Sequence, residues 1–402
     1  SMQLSSSDGQ LFELSGAAAR QSVTLQDLAQ DVGDGAPVKV DVLDSGRLQK
    51  IISLLEQMAK AFGLEGMADK RRKALERERA LKVEAIREVR SPLVILGAGG
   101  KMGPSLAVLA KRAAKKAGYE LDVIAVSRFS NPDKRAWLQA RGIETVSADL
   151  LSGVRTENLP AAGDVLYLVG LKFGTNLNPA LTWAINTVAP LHALERYAGQ
   201  RVVALSTGNV YPLSPMHGSG SVEGDALTPV GEYANAAVAR ERLFEYGSRE
   251  DGTQVALMRL NYATDLRYGV PVDLAWKVWR GEAINLANGA FNCIWQGDAN
   301  ELILRSFPLA HSPARPWNLT SPGTYQVRKV AARLGELLGR EPIFTGEEAP
   351  TSLLSNSRAL CSRLGEPPTS LDIILERTAR WVRAGGVTLG KPTHFEVRDG
   401  RY

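Results

Sequence analysis

Three glycines separated by pairs of residues directly follow a short apolar run, and they constrain the fold more than any other part of the chain. Residues 92–96 form that run, the glycines are Gly97, Gly100 and Gly103, and a helical pattern continues to about Gly118. Glycines at such a turn let the backbone approach a pyrophosphate, whose charge is stabilised at the N-terminus of the following helix. The segment therefore predicts a dinucleotide-binding strand, turn and helix.

Strand-like and helical segments alternate through the rest of the central region. The strand-like runs cover residues 121–126, 145–148, 164–169 and 202–205. Such alternation is typical of a parallel sheet that is covered by helices on both faces. We therefore predict an α/β protein with a Rossmann-type, doubly wound parallel sheet.

The first ninety residues differ from this pattern. They contain a strand-like run at 38–43, an amphipathic helix at 45–62 and a densely charged helix at 69–90. Acidic and basic residues are interleaved in the charged helix, which favours a solvated connecting helix over a site for an acidic partner. Both helices are candidates for a dimer interface, and we expect a homodimer.

The composition excludes several classes of function. The 402 residues carry 48 basic and 43 acidic side chains, and the formal charge of +5 gives no sign of a nucleic-acid partner. The two cysteines and four histidines are scattered without ligand spacing, so neither a disulfide framework nor a metal site is expected. Because no apolar run is long enough to span a bilayer and no secretory signal is evident, we expect a cytoplasmic protein without a membrane partner.

Several short motifs follow one another in a fixed order after the glycine loop. They are Asp149-Leu150, Gly170-Leu171-Lys172, Asn186, the segment Leu-Ser-Thr-Gly-Asn-Val-Tyr-Pro at 205–212, Tyr233 and Glu241. With these motifs, residues 92–383 resemble the extended short-chain dehydrogenase/reductase family, especially its NAD-dependent epimerase/dehydratase branch. Gly170-Leu171-Lys172 is similar to the Gly-Leu-Lys of UDP-galactose 4-epimerases.

The resemblance implies a division of the chain into four parts. Residues 1–90 are an N-terminal extension, and residues 91–256 are an NAD(P)-binding Rossmann domain. A smaller substrate-binding region at 257–385 is interleaved with that domain, and residues 386–402 form a tail that we expect to be loosely ordered.

The resemblance also implies the cofactor contacts. The predicted cofactor-binding residues are Gly97, Gly99, Gly100, Lys101, Met102, Gly103, Ser127, Arg128, Asp149, Leu150, Gly170, Lys172, Asn186 and Tyr233. At the end of the second strand, NAD-preferring members carry an acid that bonds the ribose and repels a 2′-phosphate. This chain has Ser127-Arg128 there, and a hydroxyl with a guanidinium suits a phosphate. We therefore expect NAD(P), with NADP slightly favoured over NAD.

Thr207 and Tyr233 are the predicted catalytic pair, since their hydroxyls would hold and protonate a substrate oxygen during hydride transfer. The family's partner lysine would lie four residues after the tyrosine, where this chain has Ala237. Ionising an ordinary tyrosine at pH 7 without such a cation costs about 4 kcal/mol. The loss penalises alcohol oxidation more than carbonyl reduction, unless Lys172 or Arg240 supplies the cation.

Two further departures bear on the substrate. Gly208-Asn209 stand where dehydratases have an acid pair, which disfavours elimination of water. Phe291 lies where nucleotide-sugar enzymes have an arginine that binds the diphosphate, unless Arg259, Arg267 or Arg328 replaces it. The predicted substrate-binding residues are Thr207, Asn209, Asn261 and Arg267, with Tyr262, Asp265 and Tyr268 as further polar candidates.

These features together predict an epimerase/dehydratase-type enzyme with an atypical active site. It would use hydride transfer on a sugar or a sugar-derived alcohol or ketone that carries no nucleotide. The alternative is a non-catalytic NADP-binding sensor or scaffold.

Overall fold

The computed structural model describes residues 2–6, 8, 10–14, 38–40, 45, 47–53, 83–151, 158–172 and 174–401. The chain divides into two compact units, Ser1–Lys82 and Val83–Tyr402.

The first unit contains a three-stranded sheet formed by β1 (Met2–Ser6), β2 (Leu11–Leu14) and β3 (Val38–Val40). Strand β1 lies in the centre, antiparallel to β2 and parallel to β3. Residues 47–53 are helical and bury Leu48 and Ile52. The predicted helical residues 54–62 and 69–82 lie outside the described residues.

The second unit contains the elements that build the candidate site. Its strands are β4 (Leu93–Leu96), β5 (Val123–Ser127), β6 (Glu144–Ser147), β7 (Asp164–Tyr167), β8 (Arg201–Thr207), β9 (Ser214–Pro215), β10 (Gln254–Leu260), β11 (Ala263–Thr264), β12 (Ala283–Asn285), β13 (Ala290–Phe291), β14 (Ile294–Trp295), β15 (Arg315–Leu319), β16 (Tyr325–Gln326), β17 (Ile343–Thr345) and β18 (Thr351–Ser352). Its helices are α1 (Gly103–Lys116), α2 (Pro132–Gln139), α3 (Pro179–Arg196), α4 (Gly231–Glu250), α5 (Val270–Arg280), α6 (Gln296–Arg305), α7 (Val327–Leu338), α8 (Arg358–Leu364) and α9 (Leu371–Arg383), with short 3₁₀ turns at Ala85–Glu88, Gly208–Val210 and Phe307–Leu309.

Seven strands form one parallel sheet in the order β15-β10-β8-β7-β4-β5-β6. Successive side chains of β4 point to opposite faces of the sheet, as side chains along a strand do. Leu93 and Ile95 join a core with helices α1 and α6, whereas Val94 and Leu96 join a core with α3 and α4. The prediction of a Rossmann-type sheet covered on both faces is confirmed.

The strand order places a crevice beside β4. From β4 the chain proceeds to β5 and β6 on one side and returns to β7 and β8 on the other. Ligands of open α/β sheets bind where the order reverses, outside the carboxyl ends of the strands. Gly97 follows β4 and Gly170 follows β7, so both loops reach this point.

A second core supports the smaller C-terminal region. Helices α5, α7 and α9 pack together around buried Leu274, Leu334 and Ile374. The region is interleaved with the large sheet, because β15 returns to pair with β10.

The segment before β4 packs into the core of the large sheet. The predicted charged helix ends here in the single 3₁₀ turn Ala85–Glu88, in which Ile86 is buried. Val89 is also fully buried. Burial of these apolar side chains within their own unit removes them from the surface that a dimer interface at 83–90 would need.

The C-terminal tail differs from the loosely ordered segment that the sequence predicted. Phe395 is buried in the core of the smaller region, and the Thr393 hydroxyl donates to Asp273 at 2.6 Å. The Arg398 guanidinium donates to Asn288 Oδ1 at 2.8 Å and to Thr351 Oγ1 at 2.7 Å. An aromatic anchor and several charge-assisted hydrogen bonds therefore fix the tail, and single-sequence patterns do not reveal such contacts.

The described part of the chain lacks two features. None of its helices is long and apolar enough to cross a membrane. It also contains no group of three or more His, Cys, Asp or Glu side chains arranged to hold a metal ion.

Candidate active site

The loop between β4 and α1 brings bare backbone to the crevice. Gly97 has a φ of +81°, which favours glycine, and a Cβ on Gly103 would lie 2.6 Å from the Ala98 carbonyl carbon. A Cβ on Gly99 would lie 2.6 Å from the Ser127 hydroxyl. Helix α1 begins directly after this turn, and its N-terminus favours negative charge. The loop therefore has the shape and polarity of a pyrophosphate site.

A cavity of about 240 Å³ opens beside this loop. Its lining consists of Gly97, Gly100, Lys101, Met102, Gly103, Leu168, Gly170, Lys172, Leu205, Ser206, Thr207, Asn209, Tyr233, Arg240, Leu260, Asn261, Tyr262, Ala263 and Tyr268. The structure thus brings together most of the predicted cofactor, catalytic and substrate residues. Gly99, Ser127, Arg128, Asp149, Leu150, Asn186 and Arg267 are predicted site residues outside this lining.

Thr207 and Tyr233 enter the cavity from different elements. Thr207 ends β8, and its hydroxyl donates to Asn209 Oδ1 at 3.0 Å. Tyr233 lies in the first turn of α4 and is 8% exposed. Ala237, one turn further on, is fully buried beside Val210, so its methyl group fills the place where a lysine was expected.

Lys172 brings a cation to the tyrosine. Its Nζ lies 5.9 Å from the centroid of the Tyr233 ring. Burial lowers the pKa of Lys172 to about 8, so the amine still carries a proton at pH 7 for most of the time.

Lys101 extends from the glycine loop to the opposite wall. Its Nζ donates to the Ala263 carbonyl at 3.0 Å and lies 3.5 Å from the centroid of the Tyr268 ring. Burial lowers the pKa of Lys101 to about 7, although the carboxylate of Asp265 partly offsets this effect. The charge of Lys172 lowers it further. Lys101 and Lys172 therefore both contribute positive charge to the same cavity.

Arg240 does not extend to solvent, as most arginines on helices do. It is 4% exposed, and its Nη1 donates to Asn186 Oδ1 at 2.8 Å and to the Val169 carbonyl at 3.2 Å. The absence of a side chain at Gly170 leaves room for the guanidinium, because a Cβ at that position would lie 2.6 Å from Arg240 Nη1. The guanidinium is thus directed to the end of β7, and Asn186 orients it.

Glu241 and Arg259 form a buried ion pair behind the cavity. Arg259 Nη2 donates to Glu241 Oε2 at 2.7 Å, and Nη1 donates to the Tyr211 hydroxyl at 2.7 Å. Ser206 donates its hydroxyl to the same carboxylate. Burial disfavours the charged form of Arg259. The hydrogen bonds and the negative charge of Glu241 nevertheless keep the pKa of Arg259 above its ordinary value. Because its guanidinium is held within the protein, Arg259 is not placed to bind a diphosphate.

Comparison with known proteins identifies the central domain. The model of the NAD-dependent epimerase/dehydratase family matches residues 93–263. Residues 93–263 are therefore similar to this family. No curated protein matches the chain in sequence.

Solved structures resemble this epimerase/dehydratase unit at low sequence identity. MoeE5 in complex with UDP-glucose and NAD is 20% identical with a TM-score of 0.58, and 73% of this chain covers 99% of that chain. UDP-glucose 4-epimerase of Thermotoga maritima, solved with UDP-glucose, gives the same values. UDP-glucuronic acid 4-epimerase of Bacillus cereus, solved with NAD, is 14% identical with a TM-score of 0.60 over 73% of this chain and 96% of that chain. These likenesses show a common fold.

The N-terminal residues match a different family. The model of the Skp1 family tetramerisation domain covers residues 1–58, which include the sheet β2-β1-β3. No motif singled out from the sequence indicated this resemblance.

The other predicted site residues differ in their exposure to solvent. Arg128 is exposed after β5, and Asp149 accepts the amide proton of Leu151 at 2.9 Å. Asn261 is buried, and its amide donates to Asn292 at 3.4 Å. Arg267 is exposed on the surface, where it forms an ion pair with Asp265 at 3.6 Å.

Sequence reasoning missed several wall residues. Ser206, Leu260 and Ala263 line the cavity because they end β8 and β10 or begin β11, next to the predicted residues. For Ser206 and Leu260, their position at the carboxyl ends of β8 and β10 was the available signal.

Proposed function

We propose that this chain is an NAD(P)-dependent oxidoreductase or epimerase that acts on a sugar or a sugar-derived alcohol or ketone. The observation that carries this proposal is one cavity that joins the glycine loop to Thr207, Tyr233 and Lys172. The loop suits a dinucleotide, because glycine at 97 and 103 permits a tight turn in which a Cβ would meet the backbone of Leu168 or Ala98, and the turn brings bare backbone and the N-terminus of α1 to the cavity. When bound, the nicotinamide would supply the hydride acceptor or donor.

The side chains of the cavity can serve carbonyl reduction and, with Lys172 as the cation beside Tyr233, the reverse oxidation. A neutral tyrosine can donate its proton to a substrate oxygen, whereas alcohol oxidation requires a base. We propose that Tyr233 is the donor, that Thr207 holds the same oxygen, and that Lys172 takes the place of the absent lysine. Arg240 is the weaker candidate, since its guanidinium is directed to Asn186 and the end of β7.

Two contacts favour a substrate without a nucleotide. Phe291 is buried against Tyr325, with ring centroids 5.9 Å apart, and offers no charge to a diphosphate. Arg259 is held by Glu241. Two of the similar solved structures contain UDP-glucose, and we propose that this chain differs from them in this respect.

We propose NADP as the preferred cofactor. Arg128 is exposed at the end of β5, and Lys134 on α2 donates to the Gly99 carbonyl at 2.9 Å. The two cations belong to segments that meet at the glycine loop, where a 2′-phosphate would add negative charge. Titration of the protein fluorescence with NADPH and NADH tests this preference.

Replacing Tyr233 with phenylalanine is expected to lower turnover about 10²- to 10⁴-fold, because the proton donor is lost. Stopped-flow measurement of NADPH oxidation with a panel of keto sugars gives turnover, and fluorescence titration gives cofactor affinity. Affinity for NADPH should change little. Tyr246→Phe is the control, since this residue lies on the same helix and is 61% exposed.

The same experiment separates the two functions. If the unaltered protein binds neither NADPH nor NADH, the proposal is wrong. If cofactor binds while Tyr233→Phe and Thr207→Ala leave every turnover unchanged, the chain is a sensor or scaffold.

We further propose that the protein is a homodimer in the cytoplasm. The match of residues 1–58 to a tetramerisation domain supports self-association through the N-terminal unit. Light scattering of the full-length protein should give twice the mass of the 43.4 kDa chain. A mass of one chain at micromolar concentration would contradict the proposal.

A further inference from the structure

The charge of the cavity wall is one-sided. Lys101, Lys172 and Arg240 line it, and none of its lining residues is an aspartate or a glutamate. A cavity lined by cations in a low-dielectric surrounding attracts an anion more strongly than the same charges would on an open surface.

The two lysines also act on each other. The charge of Lys172 lowers the pKa of Lys101, which shows that the two amines are near enough to repel. Bringing like charges together in a partly buried place has a free-energy cost, and a negatively charged ligand between or beside them would offset it.

The position of Lys101 assigns it to the substrate side. Its backbone belongs to the glycine loop, but its amine reaches the Ala263 carbonyl at the start of β11 and the ring of Tyr268. Tyr262 and Asn261, which precede β11, line the same cavity as Thr207. Glycine-loop amides and the α1 N-terminus already suit the pyrophosphate of a dinucleotide. The amine of Lys101 is therefore available to a second anion.

We propose that the substrate carries a carboxylate or a phosphate and that the ammonium group of Lys101 binds it. This inference rests on the proposed function, and it narrows the substrate to an acidic sugar, either a sugar acid or a sugar phosphate. Lys101 would exchange its contact with Ala263 for the ligand anion, and Lys172 would add its charge from the Tyr233 side.

The test uses the full-length protein saturated with NADP⁺ and calorimetric titration with three probes: D-glucuronate, D-glucose 6-phosphate and neutral D-glucose. At pH 6.5, at least one anionic probe should bind about tenfold or more tightly than D-glucose, since a charged hydrogen bond contributes more than 1.4 kcal/mol. Tighter binding of D-glucuronate would indicate a carboxylate ligand, and tighter binding of D-glucose 6-phosphate would indicate a phosphate ligand.

Two substitutions at one position separate charge from shape. Lys101→Arg should keep the preference for the anionic probe, and Lys101→Met should lose it. NADPH titration of both proteins tests this assignment against the cofactor contact that the sequence predicts for Lys101, and the inference expects unchanged NADPH affinity. If Lys101→Met instead weakens NADPH binding about tenfold, the side chain serves the cofactor and the inference is wrong.

The pH dependence gives an independent readout. Burial lowers the pKa of Lys101, and the charges of Lys172 and Arg267 lower it further. The carboxylates of Asp265 and Asp273 raise it, and the net pKa is about 7. Bound anion favours the protonated amine, so affinity for D-glucuronate should be full below pH 7 and should fall as the pH rises, by up to about tenfold per unit. The Lys101→Arg protein should show no such fall between pH 6 and about pH 7.5, because a guanidinium stays charged and Lys172, whose pKa is about 8, also keeps its proton there.

Three further results overturn the inference. They are equal affinity for D-glucose and both anionic probes, a preference that survives in Lys101→Met, and a flat pH profile in the unaltered protein. Each can occur while NADPH still binds, so the proposed function can stand when this inference fails. Absence of NADPH and NADH binding would instead remove the proposed function itself.

Discussion

Gly103→Ala is expected to abolish dinucleotide binding and to destabilise the second unit. A Cβ on Gly103 would lie 2.6 Å from both the Cα and the carbonyl carbon of Ala98, which are backbone atoms that cannot rotate away. The turn between β4 and α1 would therefore have to open. We expect at least about a 100-fold loss of NADPH affinity, which corresponds to about 2.7 kcal/mol. The free energy of unfolding should fall by about 2–4 kcal/mol.

Fluorescence titration and urea denaturation measure the two effects, and two other glycines provide controls. A Cβ on Gly100 would lie 3.3 Å from the Gly97 carbonyl, so Gly100→Ala should have a much smaller effect. A Cβ on Gly224 would meet no atom within 4 Å, so Gly224→Ala should leave both quantities unchanged. Equal effects at Gly103 and Gly224 would refute the explanation.

The sheet and the glycine loop could be predicted because local pattern determines them. Residues 92–96 are uniformly apolar, as a strand covered on both faces requires, and Gly97 and Gly103 occupy positions at which a side chain does not fit. Such constraints act on residue type, which a sequence displays directly.

Side-chain direction could not be predicted in the same way. Arg240 is buried because Asn186 and the Val169 carbonyl accept its hydrogen bonds, and both lie more than fifty positions away in the chain. Lys101 reaches Ala263, another distant residue. The sequence identified these residues as candidates, but only the tertiary structure shows where their charges lie.

The role of Arg259 shows the same limit. A strand arginine near the substrate region was one candidate to replace the absent diphosphate-binding arginine. The structure pairs it with Glu241, which the sequence matches to a family acid on the same helix as Tyr233. Both residues were noticed, whereas their pairing depends on how α4 packs against β8 and β10.

Glu241→Gln is expected to have the largest effect on stability among single changes outside the glycine loop. The carboxylate is fully buried, and it accepts hydrogen bonds from Arg259 and Ser206. The substitution keeps the shape of the side chain but leaves the Arg259 guanidinium without its counter-charge. Loss of one partner of a buried ion pair costs about 3–5 kcal/mol. Thermal and urea denaturation of the full-length protein measure this loss.

A double-mutant cycle distinguishes loss of the pair from general damage to the core. Arg259→Met alone leaves the carboxylate uncompensated and should also cost about 3–5 kcal/mol, whereas Glu241→Gln/Arg259→Met should cost clearly less than the sum. Arg242 and Glu245 form a pair of similar length, 2.6 Å, on the solvent side of the same helix. Glu245→Gln should therefore change the free energy of unfolding by less than about 1 kcal/mol. Additive losses in the cycle, or a comparable loss at Glu245, would show that burial of the charge is not what makes Glu241 indispensable.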